Sequence, residues 1–213
     1  MNTTIYLIRH GESQANERDL FLGHGDLDLT DTGRRQAEKT ASFLSNLTPD
    51  AIYSSDLLRA YETAKRSADL FGLPIIRDEK LREIDAGEWD FRAFSDLERD
   101  FAKSYGIWCT DFGNARCDGG ESVLSLKERV AAEVNCIARA HEGQTVLIFT
   151  HATPIRTFAA HCQKKRQENW KEIPWAPNAS VTRVVFDGSE FCLMEYGNDS
   201  FMGTLSTQLP QNV

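Results

Sequence analysis

Hydrophobic positions in this chain follow two different periods. Short apolar runs end abruptly at polar or turn residues, and longer segments repeat apolar residues every three or four positions. Ile5-Tyr6-Leu7-Ile8, Ala51-Ile52-Tyr53 and Val146-Leu147-Ile148-Phe149 are of the first kind. They are too short for helices and rich in β-prone residues, so they predict buried strands over about 4–9, 51–54 and 145–149. A further strand is predicted over 73–77. Helical spacing fills the intervals. Thr30 and Asp31 open a helix through about Ser45, with Thr30 as N-cap. A second helix runs from Leu57 to Phe71 and stops at Gly72, with Pro74 just beyond. A third is expected over Phe94–Tyr105. The longest spans Glu121–His141, with Val123, Leu126, Val130, Val134 and Ile137 on one stripe. Another covers Pro154–Cys162. Ser180–Phe186 and Glu190–Tyr196 flank Asp187-Gly188, which signals a hairpin. Residues 113–120 read as loop, and the tail after Gly203 reads as weakly ordered.

Strands alternating with helices indicate a mainly parallel sheet covered on both faces. The 213 residues are expected to form one domain, with residues 81–120 as a possible cap. In such a sheet the carboxyl ends of the strands share one edge, where ligands bind. Arg9-His10-Gly11 follows the first strand, Ser54-Ser55-Asp56-Leu57-Leu58-Arg59 the second, and Thr150-His151 the fourth. Leu81-Arg82-Glu83 follows the third. Two arginines, two histidines and a carboxylic acid can therefore converge, a set suited to an anionic group such as phosphate.

Composition narrows the partners. Lys plus Arg is 24 against 32 Asp plus Glu, a formal charge of −8, which argues against nucleic acid and anionic membrane as ligands. A small phosphorylated substrate remains compatible, because a basic pocket can sit inside an acidic protein. No run approaches the length of a membrane span. The stretch Met1-Asn2-Thr3-Thr4 has no basic or apolar character, so no export signal is expected. Five scattered cysteines without Cys-x-x-Cys spacing fit reduced thiols in the cytoplasm, and no clustered metal ligands are evident. Neither metal nor cofactor is therefore expected. A sheet edge or exposed helix could pair two copies into a homodimer.

Four segments, in order, resemble the histidine phosphatase superfamily, also called the phosphoglycerate mutase-like family. They are Arg9-His10-Gly11-Glu12-Ser13 with Asn16, and Ser54-Ser55-x-Leu57-x-Arg59-Ala60-x-x-Thr63-Ala64. Glu83 with Gly87 and Trp89, and His151 after an apolar strand, complete them. Gly119-Gly120-Glu121-Ser122 also matches the family's entry into its long helix. The resemblance covers about residues 4–196 and implies a three-layer α/β/α sandwich.

It also implies roles. His10 would attack phosphorus as a neutral imidazole and form a phosphohistidine. Arg9, Arg59, His151 and Asn16 would hold the phosphoryl oxygens, and Glu83 would protonate the leaving alkoxide. No metal would be needed. Ser13 and His24 would lie where substrate can touch them. Each residue also has a plainer reading. Arg59 alone reads as an exposed helix residue paired with Glu62 or Asp56. His10 and His151 alone could be strand-end hydrogen-bonding groups. Asp85 and Glu88 compete with Glu83, and Trp89 and Trp108 read as packing or pocket walls. Only 67 residues lie between Glu83 and His151. That short interval and His151-Ala152-Thr153-Pro154 resemble the compact phosphatase branch more than the mutases. Phosphomonoester hydrolysis is therefore expected. Phosphoglycerate mutase activity is the enzymatic alternative, and a non-catalytic phospho-ligand module on the same fold the other.

Overall fold

The computed structural model describes residues 1–207. Its strands are β1 (Thr3–Arg9), β2 (Ala51–Ser54), β3 (Ile75–Arg77), β4 (Thr145–Thr150), β5 (Val181–Phe186) and β6 (Phe191–Asn198). They form one sheet in the order β3-β2-β4-β1-β5-β6. β1, β2, β3 and β4 run parallel, and β5 and β6 add an antiparallel hairpin on the β1 side. The helices are α1 (Gln14–Glu17), α2 (Asp31–Leu44), α3 (Leu58–Phe71), α4 (Phe94–Asp100), α5 (Ala102–Thr110), α6 (Val123–Ala140) and α7 (Ala152–Cys162).

The central strands are apolar on both sides because both faces are covered. Side chains alternate along a strand, so neighbours go to opposite faces. Ile5 and Leu7 of β1 join Val146 and Ile148 of β4 in one core. Ile8, Leu147 and Phe149 join the other. The first core lies under α6, α7 and the 81–120 segment, and includes the Val123, Leu126, Val130, Val134 and Ile137 stripe. The second lies under α2 and α3, with Leu44, Ala64 and Ala68. The result is the three-layer α/β/α sandwich. Each fully buried Val, Leu or Ile contributes about 1.5–3 kcal/mol relative to exposure, so the stripe anchors α6, and Arg129 adds bonds to the Lys80, Arg82 and Glu83 carbonyls.

Local signals acted as read. Thr30 accepts the amide of Gly33 at 3.0 Å and caps α2. Gly72 closes α3 at φ 66°, a left-handed conformation that glycine adopts without strain. Two expectations need correction. The segment 94–105 is not one helix. It breaks at Phe101 (φ −124°, ψ 31°), and α5 runs on to Thr110. The break lets Leu97 on one side and Tyr105 and Trp108 on the other all enter the same core, so packing overrides local helical preference. The chain after Gly203 is not loose as far as it is described. Gly203–Leu205 makes a short 3-10 turn, and the Leu205 carbonyl accepts from Gln36 at 2.8 Å. Residues 208–213 lie outside the described part. Among the described residues, no helix is long and apolar enough to cross a membrane.

Candidate active site

The strand register assembles the site. Arg9 of β1 lies beside Thr150 of β4, and Ser54 of β2 beside Phe149. The next residue of each strand, His10, His151 and Ser55, therefore emerges on one sheet edge. Backbone bonds continue the ladder for one step, His10 N–H to the Thr150 carbonyl at 3.0 Å and Ser55 N–H to the Phe149 carbonyl at 2.9 Å. The two imidazoles are consequently neighbours, with ring centroids 5.2 Å apart.

The protonation of His10 follows from its contacts. Its Nδ1 lies 2.7 Å from the Gly11 carbonyl, which can only accept. Nδ1 therefore carries the hydrogen and Nε2 presents a lone pair. Burial, then the charges of Arg59 and Arg9, push its pKa well below 6.5, so the ring is neutral at pH 7. The backbone is fixed by a close approach. A Cβ on Gly33 would sit 2.0 Å from the Glu12 carbonyl oxygen, and one on Gly11 would sit 2.5 Å from the Gly33 carbonyl. Only glycine at both places lets the start of α2 press against the loop that holds His10.

His151 is held differently. Its Nε2 lies 2.8 Å from Ser55 Oγ, which also accepts the Leu57 amide at 3.3 Å. With Ser55 donating its hydroxyl hydrogen to Nε2, the ring hydrogen of His151 resides on Nδ1. That Nδ1 is buried with no acceptor among the described residues. Burial and Arg59 hold the His151 pKa well below 6.5 as well.

The cations are built in rather than exposed. Arg59 is 1 % exposed and donates to the carbonyls of Gly25 (2.9 Å) and Gly23 (2.8 Å). Asp56 pairs instead with Arg82, and Glu62 with Lys65, so the surface-pair reading of Arg59 fails. Arg9 donates to the Ala176 carbonyl at 2.7 Å, and its Nε is buried without a partner. Burial draws both guanidinium pKa values down to about 10, opposed by the carboxylate of Glu83. Both stay cationic at neutral pH. Glu83 accepts its neighbour's amide, Ile84 N–H, at 2.8 Å and the Thr153 amide at 3.3 Å. The competing Asp85 and Glu88 do not line the cleft, whereas Arg9, Arg59 and Glu83 do.

Asn16 and Ser13 stand opposite. Three donors converge on Asn16 Oδ1: Ser13 N–H and Oγ–H at 3.0 Å each, and Asn178 Nδ2 at 3.2 Å. That orients the Asn16 side chain and leaves its NH₂ for a ligand. Asn178 also donates to the His10 carbonyl at 3.2 Å. His24 stands next to Glu83, its Nε2 bonding the Glu83 carbonyl at 3.1 Å, and like His10 and His151 it is not among the cleft-lining residues. Its loop is braced from one side by Arg59 and from the other by Asp90, which accepts the amides of Gly23 and Gly25. The cleft measures about 170 Å³. Trp89 is pure core, while Trp108 belongs both to the core and to the cleft wall.

Two of these roles were missed from the sequence. Ser55 stood inside a motif with no task assigned. Asn178 lies in an irregular stretch before β5, with no periodicity to single it out.

The model of the histidine phosphatase superfamily (branch 1) matches residues 5–199. The chain belongs to that family. It is 32% identical over 158 residues to phosphoserine phosphatase 1 of Hydrogenobacter thermophilus, covering 74% of each chain. It is 32% identical over 147 residues to the adenosylcobalamin/alpha-ribazole phosphatase of Escherichia coli, covering 69% of this chain and 72% of that one. Among solved structures, Bacillus stearothermophilus YhfR superposes with a TM-score of 0.90 at 30% identity, over 94% of this chain and 99% of the other. A mycobacterial glucosyl-3-phosphoglycerate phosphatase gives 0.83 at 26% identity, over 93% and 100%. A phosphoglycerate mutase from Bacillus anthracis, at 22% identity, shares the fold. The protein is a phosphatase of this family.

Proposed function

We propose that the protein hydrolyses small phosphomonoesters through a phosphohistidine on His10 Nε2. The observation that carries this reading is the hydrogen bond from His10 Nδ1 to the Gly11 carbonyl. It turns a buried, neutral ring into a nucleophile with one available lone pair. Nε2 attacks phosphorus, the bond to the leaving oxygen breaks, and Glu83 delivers a proton to that oxygen. Water then attacks phosphorus from the same side, Glu83 takes a proton from it, and the N–P bond breaks to release phosphate and restore His10. Arg9, Arg59, the Nδ1–H of His151 and the NH₂ of Asn16 hold the phosphoryl oxygens as charge builds. Ser13 supports this by orienting Asn16. The fixed cations take the part that a metal ion plays in other phosphoryl transfers.

His10→Ala should lower kcat/KM by several orders of magnitude, because the covalent route is gone. Acid quenching during turnover should trap an acid-labile phosphoenzyme in the unmodified protein and none in the variant. Undiminished turnover by His10→Ala would remove the reading. Hydrolysis against isomerisation is decided with 3-phosphoglycerate, by following free phosphate and 2-phosphoglycerate together. Phosphate release is expected to dominate.

Segment 81–120 serves as a cap on this reading, supported by Phe94 and Trp108 on the cleft wall. A reducing, cytoplasmic setting accords with the free cysteines at 109, 117, 136, 162 and 192.

A further inference from the structure

On the phosphohistidine reading the phosphoryl group sits at the end of the cleft lined by Arg9, Arg59 and Glu83, and the rest of the cleft has a different chemistry. Its wall is formed by Leu20, Phe21 and Leu22, by Phe94 at the start of α4, by Trp108 of α5, and by Trp175 before β5. The rings interlock. Phe21 meets Trp108 edge-on with centroids 5.2 Å apart, and Phe94 at 6.1 Å. Trp108 and Trp175 stack at 6.0 Å.

The cleft-lining cations among the described residues are Arg9 and Arg59, both at the phosphoryl end. Arg156 lies behind the wall, 4.1 Å from the Trp175 ring, with its N–H groups donating to the Ile173 and Lys171 carbonyls. The remaining charges lining the cleft are carboxylates. Glu12 is held by Thr30 at 2.6 Å, and Asp19 stands at the rim. Glu12 adjoins the His10-Gly11 turn, whereas the Asp19 carbonyl accepts the Phe94 amide. A leaving alcohol bearing its own carboxylate would therefore meet aromatic rings and the Asp19 carboxylate, with no further cation among the described lining residues to receive it.

We propose that the substrates are phosphomonoesters whose alcohol carries a flat, uncharged aromatic ring, which packs against the wall formed by Phe21, Phe94, Trp108 and Trp175, and that carboxylate-bearing esters are disfavoured. The inference rests on the phosphohistidine reading and specifies what that site accepts. Aromatic pairs prefer edge-to-face or offset stacking, and this wall offers both geometries.

The test uses the full-length protein and three primary-alkyl phosphates. They are 2-phenylethyl phosphate, the phosphate ester of 3-hydroxypropanoate, and phosphocholine. Leaving-group chemistry is similar in all three, so differences report the alcohol's fit. The phenyl ester should exceed each of the others in kcat/KM by about tenfold or more, the factor that one good aromatic contact supplies. Phe94→Ser should shrink that ratio, and Phe94→Leu gives the same comparison if the serine variant does not fold. Equal or better turnover of the carboxylate ester overturns the proposal. So does equal or better turnover of phosphocholine, which would make the wall a cation-binding cage. A ratio unchanged in both Phe94 variants overturns it too. Phosphate release from none of the three, with none from p-nitrophenyl phosphate, would sink the phosphohistidine reading and this proposal together.

Discussion

At the scale of single residues, the site depends on which nitrogen of each histidine is free. Ser55 decides this for His151. Ser55→Ala removes the partner of a buried ring nitrogen, which costs about 1–3 kcal/mol of stability. It also frees the tautomer, so kcat should fall while Ser55→Thr recovers part of it; urea unfolding and steady-state kinetics on the three variants check both. Glu83→Gln should slow alkyl phosphates far more than p-nitrophenyl phosphate, whose leaving group needs little protonation. Equal losses on both esters would move the acid role away from Glu83. Arg9, His10, Arg59 and His151 were legible because each stands at the end of a strand, just beyond one or inside a helix start, and Glu83 because it follows the short turn after β3. Asn178 was not, since its partners Asn16 and His10 lie 162 and 168 positions away. Nothing local marks an asparagine that acts by such a contact. His24 is the converse case: its glycine-flanked loop resembles a substrate loop, and its bond to the Glu83 carbonyl, 59 positions away, was not legible.

At the scale of elements, the packing of α2 against the loop of residues 10–13 is the tightest constraint. Gly33→Ala would force a methyl against the Glu12 carbonyl, a backbone atom that cannot swing away. Overpacking of this kind costs about 1–3 kcal/mol. The melting temperature should therefore drop by several degrees, and KM should rise as Glu12 and Ser13 shift. Helix and strand positions were largely readable, because period and caps agree with the tertiary fold in α2, α3, α6 and the central strands. The Phe101 break was not readable. Local preference favours a continuous helix there, and only the need to bury Leu97, Tyr105 and Trp108 together breaks it.

At the scale of the whole molecule, buried neutral histidines couple stability to pH. His10 and His151 titrate well below 6.5 when folded and near 6.5 when unfolded. Below that value the unfolded chain binds protons that the native state refuses. Stability is thus complete above about pH 6.5 and declines as pH falls. Between pH 7.5 and 5.5 the loss should be about 1 kcal/mol for each of the two rings. Urea midpoints across that interval check it, and replacing both histidines by asparagine should flatten the slope.

The register that joins Arg9 to Thr150 also sets a clock for the nascent chain. His10 leaves the ribosome early, yet its amide bonds Thr150 and its carbonyl accepts the Ala179 amide at 3.0 Å. His10 is thus seated only when segments synthesised some 140 and 170 residues later have arrived. Such distant closures form late in folding. Phosphatase activity should therefore return on refolding with the slowest structural phase, and His10 stays unseated on the ribosome until β5 has emerged.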